Sequence, residues 1–183
     1  MTFKPLHDPT HLYFVTATIL GWKHLFTQPP YAQIVLQSLD WHRRHNRWSL
    51  FAFVVMPNYL HLIVRPLGDQ TISTVLQSFG SYTAHTILAR LQQDGRADLL
   101  AFFADRRDLD TGKEHQIWLP IEARNIYSLD FLRQKVEYIH NNPVAKHWHL
   151  VDHRADYAYS SACFYDTGEP PVIPVDDLGA YIV

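Results

Sequence analysis

The sequence predicts an α+β domain of the split β-α-β kind, on three observations. Runs rich in β-branched and aromatic residues alternate with stretches of helical apolar spacing, in the order strand, helix, strand, strand, helix, strand, with one helix added. The second and third strands are separated by little more than Pro57-Asn58, which favours an antiparallel pair. The 183 residues, 47% hydrophobic and 19% charged, suit one domain with a sizeable core.

Each element has its own signal. "HLYFVTATIL" (11–20) is β-branched and aromatic, hence a strand. "QPPYAQIVLQSLDWHRRH" places Ile34, Val35, Leu36 and Leu39 at helical spacing, with two prolines in the first turn where their missing N–H costs nothing. "WSLFAFVVM" (48–56) and "LHLIV" (60–64) are two further strands. A second helix runs through "TISTVLQSFGSYTAHTILARLQQDG": Ile72, Val75, Leu76, Phe79, Ile87, Leu88 and Leu91 repeat at helical spacing, Gly80 interrupts it, and Gly95 stops it. Residues 96–114 are charged and read as an insertion, and Pro120 makes 115–127 an irregular edge strand or extended segment. The third helix is capped by Ser128 and carries Phe131, Leu132, Val136 and Ile139 on its apolar face until Pro143 ends it. The expected architecture is ferredoxin-like: an antiparallel sheet with helices on one face, leaving the other face for a ligand. One domain is expected over 1–165, with 166–183 as a loop-rich tail.

Composition bounds the function loosely. A net charge of −2 announces no global basic field for nucleic acid. The single cysteine, Cys163, excludes an internal disulfide and a thiolate metal pattern. No apolar run approaches the ~18 residues of a membrane span, and the N-terminus lacks the features of a signal peptide, so a cytoplasmic home is expected. Twelve histidines and an aromatic share of 14% fit base stacking and ordinary cores equally well.

Two stretches bear on chemistry. In "VVMPNYLHLIV" (54–64), Tyr59 and His61 are two apart on a strand and so share one sheet face. In "KVEYIHNNPV" (135–144), Tyr138 and Asn142 are four apart and so share one helix face. By spacing alone the second pair reads as a packed tyrosine and an asparagine before Pro143. "WHRRHNRW" (41–48) is the best local basic patch, and Arg43, Arg44 and Arg47 are candidates for DNA phosphate contact or for a solvated helix end. His147 and His149, with Asp152 nearby, could hold a metal or could be ordinary loop residues.

Taken together, "VVMPNYLHLIV", "SFGSYTA", Ile117-Trp118, "EYIHNNPV" and "YAYSSACFY", in that order, resemble the REP-associated tyrosine transposases. These are single-tyrosine transposases of the His-hydrophobic-His superfamily. The resemblance implies a tyrosine nucleophile at Tyr138, a divalent magnesium or manganese ion held by His61 and Asn142, and single-stranded or hairpin DNA as substrate. It implies nicking and joining through a 5′-phosphotyrosine link, by a monomer or homodimer, with a monomer expected here. Three positions depart from the family pattern. Tyr59 stands where the family has its first ligand histidine, Gly80 where it has a helix lysine, and Leu119 where it has glutamine. A neutral phenol is a poor ligand for a hard cation. The implied catalysis is therefore expected to be weakened or lost, the alternative being a fully non-catalytic DNA-binding protein. Tyr59 itself has three readings: a phenolate ligand, a neighbour of a weaker site, or a packing or stacking residue.

Overall fold

The structure is a computed structural model that describes residues 11–105 and 115–181. Residues 106–114 of the expected insertion, with Arg106 and Arg107, lie outside the described residues, as do 1–10 and 182–183. Four strands form one sheet: β1 (Leu12–Thr18), β2 (Trp48–Val55), β3 (Tyr59–Pro66) and β4 (Glu122–Ile126), in the order β2-β3-β1-β4 with every neighbouring pair antiparallel. This is the split β-α-β sheet that the element order predicts.

Alternation sorts the strand residues onto two faces. Tyr13, Val15, Ala17, Leu60, Leu62 and Val64 face the larger core, where α1 (Pro29–Arg44) and α2 (Ile72–Gln93) pack. Trp48, Phe53, Phe79 and Tyr31 are fully buried there. Pro29 and Pro30 open α1, and α2 begins with a reciprocal Thr71–Thr74 capping box. Gly80 lets α2 approach the 115–121 segment: a Cβ there would sit 3.0 Å from Ile121 Cδ1. Within the expected insertion, the apolar patch forms helix α3 (Ala97–Asp105), and Leu99 and Phe103 join the core.

The second face carries Leu12, Phe14, Val54, Met56 and Ile63. It is covered in part by α4 (Leu129–Asn141) through Leu132 and Ile139. Hence the added helix occupies much of the face that element order leaves open for a ligand.

"YAYSSACFY" is explained by the β2 edge. An edge strand exposes unpaired backbone groups that need partners. Tyr157 donates its hydroxyl to the Val55 carbonyl at 2.9 Å, and Tyr165 donates to that of Phe51 at 2.8 Å. Ser161 Oγ accepts from Phe53 N at 3.0 Å, between them. α5 (Ala162–Thr167) follows directly.

Further along, Ile173 and Leu178 are buried. Asp176 accepts from Leu50 N at 2.8 Å beside the β2 irregularity at Leu50/Ala52, and it pairs with Arg43 at 2.9 Å. Asp176→Ala leaves that amide and guanidinium without their acceptor. We expect a loss of about 1–3 kcal/mol, read as a lower urea midpoint at unchanged slope. Asp176→Asn recovers part of it. Among the described residues, no helix is long and apolar enough to cross a membrane.

Candidate functional site

β1, β3, α4 and the turn after it bring the candidate residues together. The register pairs Thr18 with Tyr59 and Thr16 with His61 across β1 and β3. His61 is 6% exposed, and its Nδ1 lies 2.9 Å from Thr16 Oγ1. Its ring stacks on Phe14 at 5.1 Å and lies 5.2 Å from the Tyr138 ring. Burial pushes its pKa down to about 4, so the imidazole is neutral at pH 7.

Tyr138 and Asn142 share the inner face of α4, but their side chains end differently. Tyr138 is 48% exposed, whereas Asn142 is buried. The Asn142 amide is tethered at both ends. Its Nδ2 donates to the Tyr138 carbonyl one turn back at 2.6 Å, and its Oδ1 accepts from the Tyr59 hydroxyl at 2.6 Å. Trp148 Nε1 donates to the same Tyr59 oxygen at 3.0 Å. Burial, with a smaller contribution from Tyr138, pushes the Tyr59 phenol up to about 12, against the opposing pull of the Trp148 N–H. A phenolate at Tyr59 is therefore disfavoured even relative to a free tyrosine.

This donor set does not fit a divalent cation. A hard cation needs oxygen or imidazole donors whose lone pairs face one point. Here the Asn142 oxygen is engaged by a phenol O–H, the neighbouring strand position offers a protonated oxygen, and His61 is left as a lone nitrogen ligand. Among the described residues, no three His, Cys, Asp or Glu side chains are grouped to hold a metal. His149 and Asp152 meet at 3.3 Å as an exposed pair, with the His147 ring turned to Trp148 at 6.0 Å.

The other two departures also have physical roles. Leu119 donates its backbone N–H to Thr18 O at 2.8 Å, beside the Tyr59 end of the sheet, and its side chain packs on the core. Gly80 serves the approach of Ile121 already described. Arg43 and Arg44, by contrast, stand apart from this site. They end α1, which packs on the opposite face, and they pair with Asp176 and Asp40. Arg47 is exposed at the start of β2, whose Trp48 pairs with Pro66 at the far end of β3 from Tyr59.

Three neighbours of the site escape the sequence reading. Lys135 sits three residues before Tyr138 on α4, its Nζ 5.1 Å from the Tyr138 ring centroid, and the i, i+3 spacing could have placed it. Thr16 requires the strand register. Trp148 lies in a loop where no periodicity applies.

Solved structures share this fold. One match, at 19% identity and a TM-score of 0.64, covers 97% of this chain and 93% of that one: a REP-associated tyrosine transposase bound to a REP hairpin. This chain has the REP-associated tyrosine transposase fold. A candidate transposase from Deinococcus radiodurans R1 also matches, at 16% identity and a TM-score of 0.45, over 77% of this chain and 97% of that one. No family model matches the sequence, and no curated protein matches it. Within the transposase fold, α4 is the element that brings Tyr138 and Asn142 against the β3 pair.

Proposed function

We propose that this chain binds single-stranded or hairpin DNA, and that metal-assisted nicking and joining by Tyr138 through a 5′-phosphotyrosine link is weakened or lost in it. The observation that carries this reading is the 2.6 Å hydrogen bond from Tyr59 to Asn142 Oδ1, which occupies the oxygen a cation would need. A structural neighbour with this fold is bound to a REP hairpin, and that supports DNA as the partner. The same reading takes the chain to act as a monomer in the cytoplasm. Tyr138 keeps its exposure and the nearby cation of Lys135, so the surface remains suited to a DNA backbone.

Fluorescence anisotropy with a hairpin oligonucleotide bearing a single-stranded arm tests the reading. Affinity is expected to fall about tenfold or more between 50 and 200 mM salt, as counterions compete for phosphate contacts. Tyr138→Phe should change it less than about twofold, because one hydroxyl is at most one neutral hydrogen bond. On a denaturing gel, wild type with manganese or magnesium should give no covalent adduct. Absence of binding at low salt would overturn DNA as the partner. An adduct that disappears in Tyr138→Phe would overturn the loss of cleavage.

A further inference from the structure

Tyr127, between β4 and α4, is 81% exposed, the most open of the large exposed hydrophobic side chains among the described residues. Its ring lies 5.1 Å from that of Phe131 at an interplanar angle of 15°, a parallel stack with one Tyr127 face covered. One turn further along α4, Lys135 Nζ lies 5.2 Å from the Phe131 centroid, 4.5 Å from Phe14 and 5.1 Å from Tyr138. Positions 131, 135 and 138 share one helix face, so aromatic rings and a cation alternate from Tyr127 to Tyr138. Arg124 adds a second cation: it is the cross-strand partner of Phe14 and so projects from the same sheet face. Its contact with Glu122 is 3.7 Å long between two open side chains, a pair easily exchanged for another anion.

We infer that this row is a track for an unpaired DNA strand, in which a base stacks on Tyr127 and the adjoining phosphate is held by Lys135 and Arg124 beside Tyr138. The inference rests on the DNA-binding reading above and assigns the surface that reading leaves open. Three features favour a single strand over other partners. A preformed aromatic stack offers a flat face to any base, which a duplex keeps inside its own stack. Cations placed over and beside the rings match a ligand that alternates bases with phosphates. The strand so placed runs toward the half-exposed Tyr138 rather than toward the arginines at the end of α1.

Anisotropy with fluorescein-labelled dT15, and with the same strand carrying abasic sites, provides the test. Wild type should bind dT15 about fivefold or more tighter than the abasic strand, within the range that stacking supplies. Tyr127→Ala should weaken dT15 binding about as much and no longer distinguish the two strands, and Tyr127→Phe should retain wild-type behaviour. Lys135→Ala should weaken both strands and reduce the salt slope by about 0.7, the loss of one phosphate contact. Arg90→Ala, on α2 against the opposite sheet face, should leave both affinities unchanged. Binding by wild type that Tyr127→Ala and Lys135→Ala leave intact would overturn the track while leaving DNA as the partner. Failure of wild type to bind either strand at low salt would overturn the DNA reading, and the track with it.

Discussion

Tyr59→His is expected to turn a chain that forms no covalent DNA adduct into one that does. The phenol blocks the site twice: it offers no anionic oxygen at pH 7, since burial raises its pKa to about 12, and its O–H donates to Asn142 Oδ1, the two oxygens 2.6 Å apart. An imidazole at position 59 would stand on the same face of β3 as His61, two residues away, and would release the asparagine oxygen. Two nitrogens and one oxygen would then face one point beside Tyr138, with water completing the shell of a magnesium or manganese ion. Trp148 Nε1 loses its acceptor in this variant, but the residue is partly exposed and water can replace it. Calorimetry should show manganese binding by Tyr59→His and none by wild type at the same concentration. On a hairpin oligonucleotide the variant should form adduct under conditions where wild type forms none, since Lewis-acid stabilisation is worth several kcal/mol. The double variant Tyr59→His, Tyr138→Phe should form none. Equal adduct formation by wild type and Tyr59→His would show that the phenol is not the block.

How much of this was legible in the sequence follows from the range of the interactions involved. The strands, the capped helices and the pairing of Tyr138 with Asn142 on one helix face depend on local periodicity, so they could be read directly. The resemblance also carried the topology, and the fold agrees with it. The sequence could not show that Tyr59 bonds to Asn142, 83 positions away, rather than merely standing beside His61. Nor could it show that α4 would cover much of the second sheet face, which depends on where Leu132 and Ile139 find burial. "WHRRHNRW" illustrates the opposite case. Its charges are plain in the sequence, but Arg43 is paired to Asp176 across 133 positions, and no local rule foresees such a partner. Lys135 has no such excuse, since it lies one turn from the predicted nucleophile.

Acid should unfold this protein from the α4 side, through protonation of a buried histidine. His140 is fully buried on α4, with Nε2 2.9 Å from Ser161 Oγ and its ring 4.8 Å from that of Tyr165. Burial, reinforced by the Arg154 guanidinium and opposed by Asp166 and Glu137, lowers its pKa from 6.5 to about 4. The folded chain thus resists a proton that the unfolded chain accepts near pH 6.5. The stability from this group is complete above pH 6.5 and is lost progressively as pH falls toward 4. At 1.36 kcal/mol per pH unit, the loss is about 3 kcal/mol for His140. His61 shifts in the same direction to about the same value, so the two together remove a sum comparable to the whole stability of an ordinary domain. Carboxylates do not explain this window. Arg154, paired with Asp166 at 2.7 Å and Glu137 at 2.6 Å, holds the Asp166 carboxyl below its usual range, so the Asp166 pair survives to lower pH. Urea midpoints measured from pH 7 to 4.5 should fall steeply below 6.5. His140→Gln keeps a polar group near Ser161 and does not titrate, so it should be less stable at pH 7 but lose stability about half as steeply. An unchanged slope in that variant would mean that His140 takes up its proton without disturbing the fold. Because the same turn of α4 carries Tyr138 and Asn142, DNA binding through this surface should decline over the same pH range in the wild type and less so in His140→Gln.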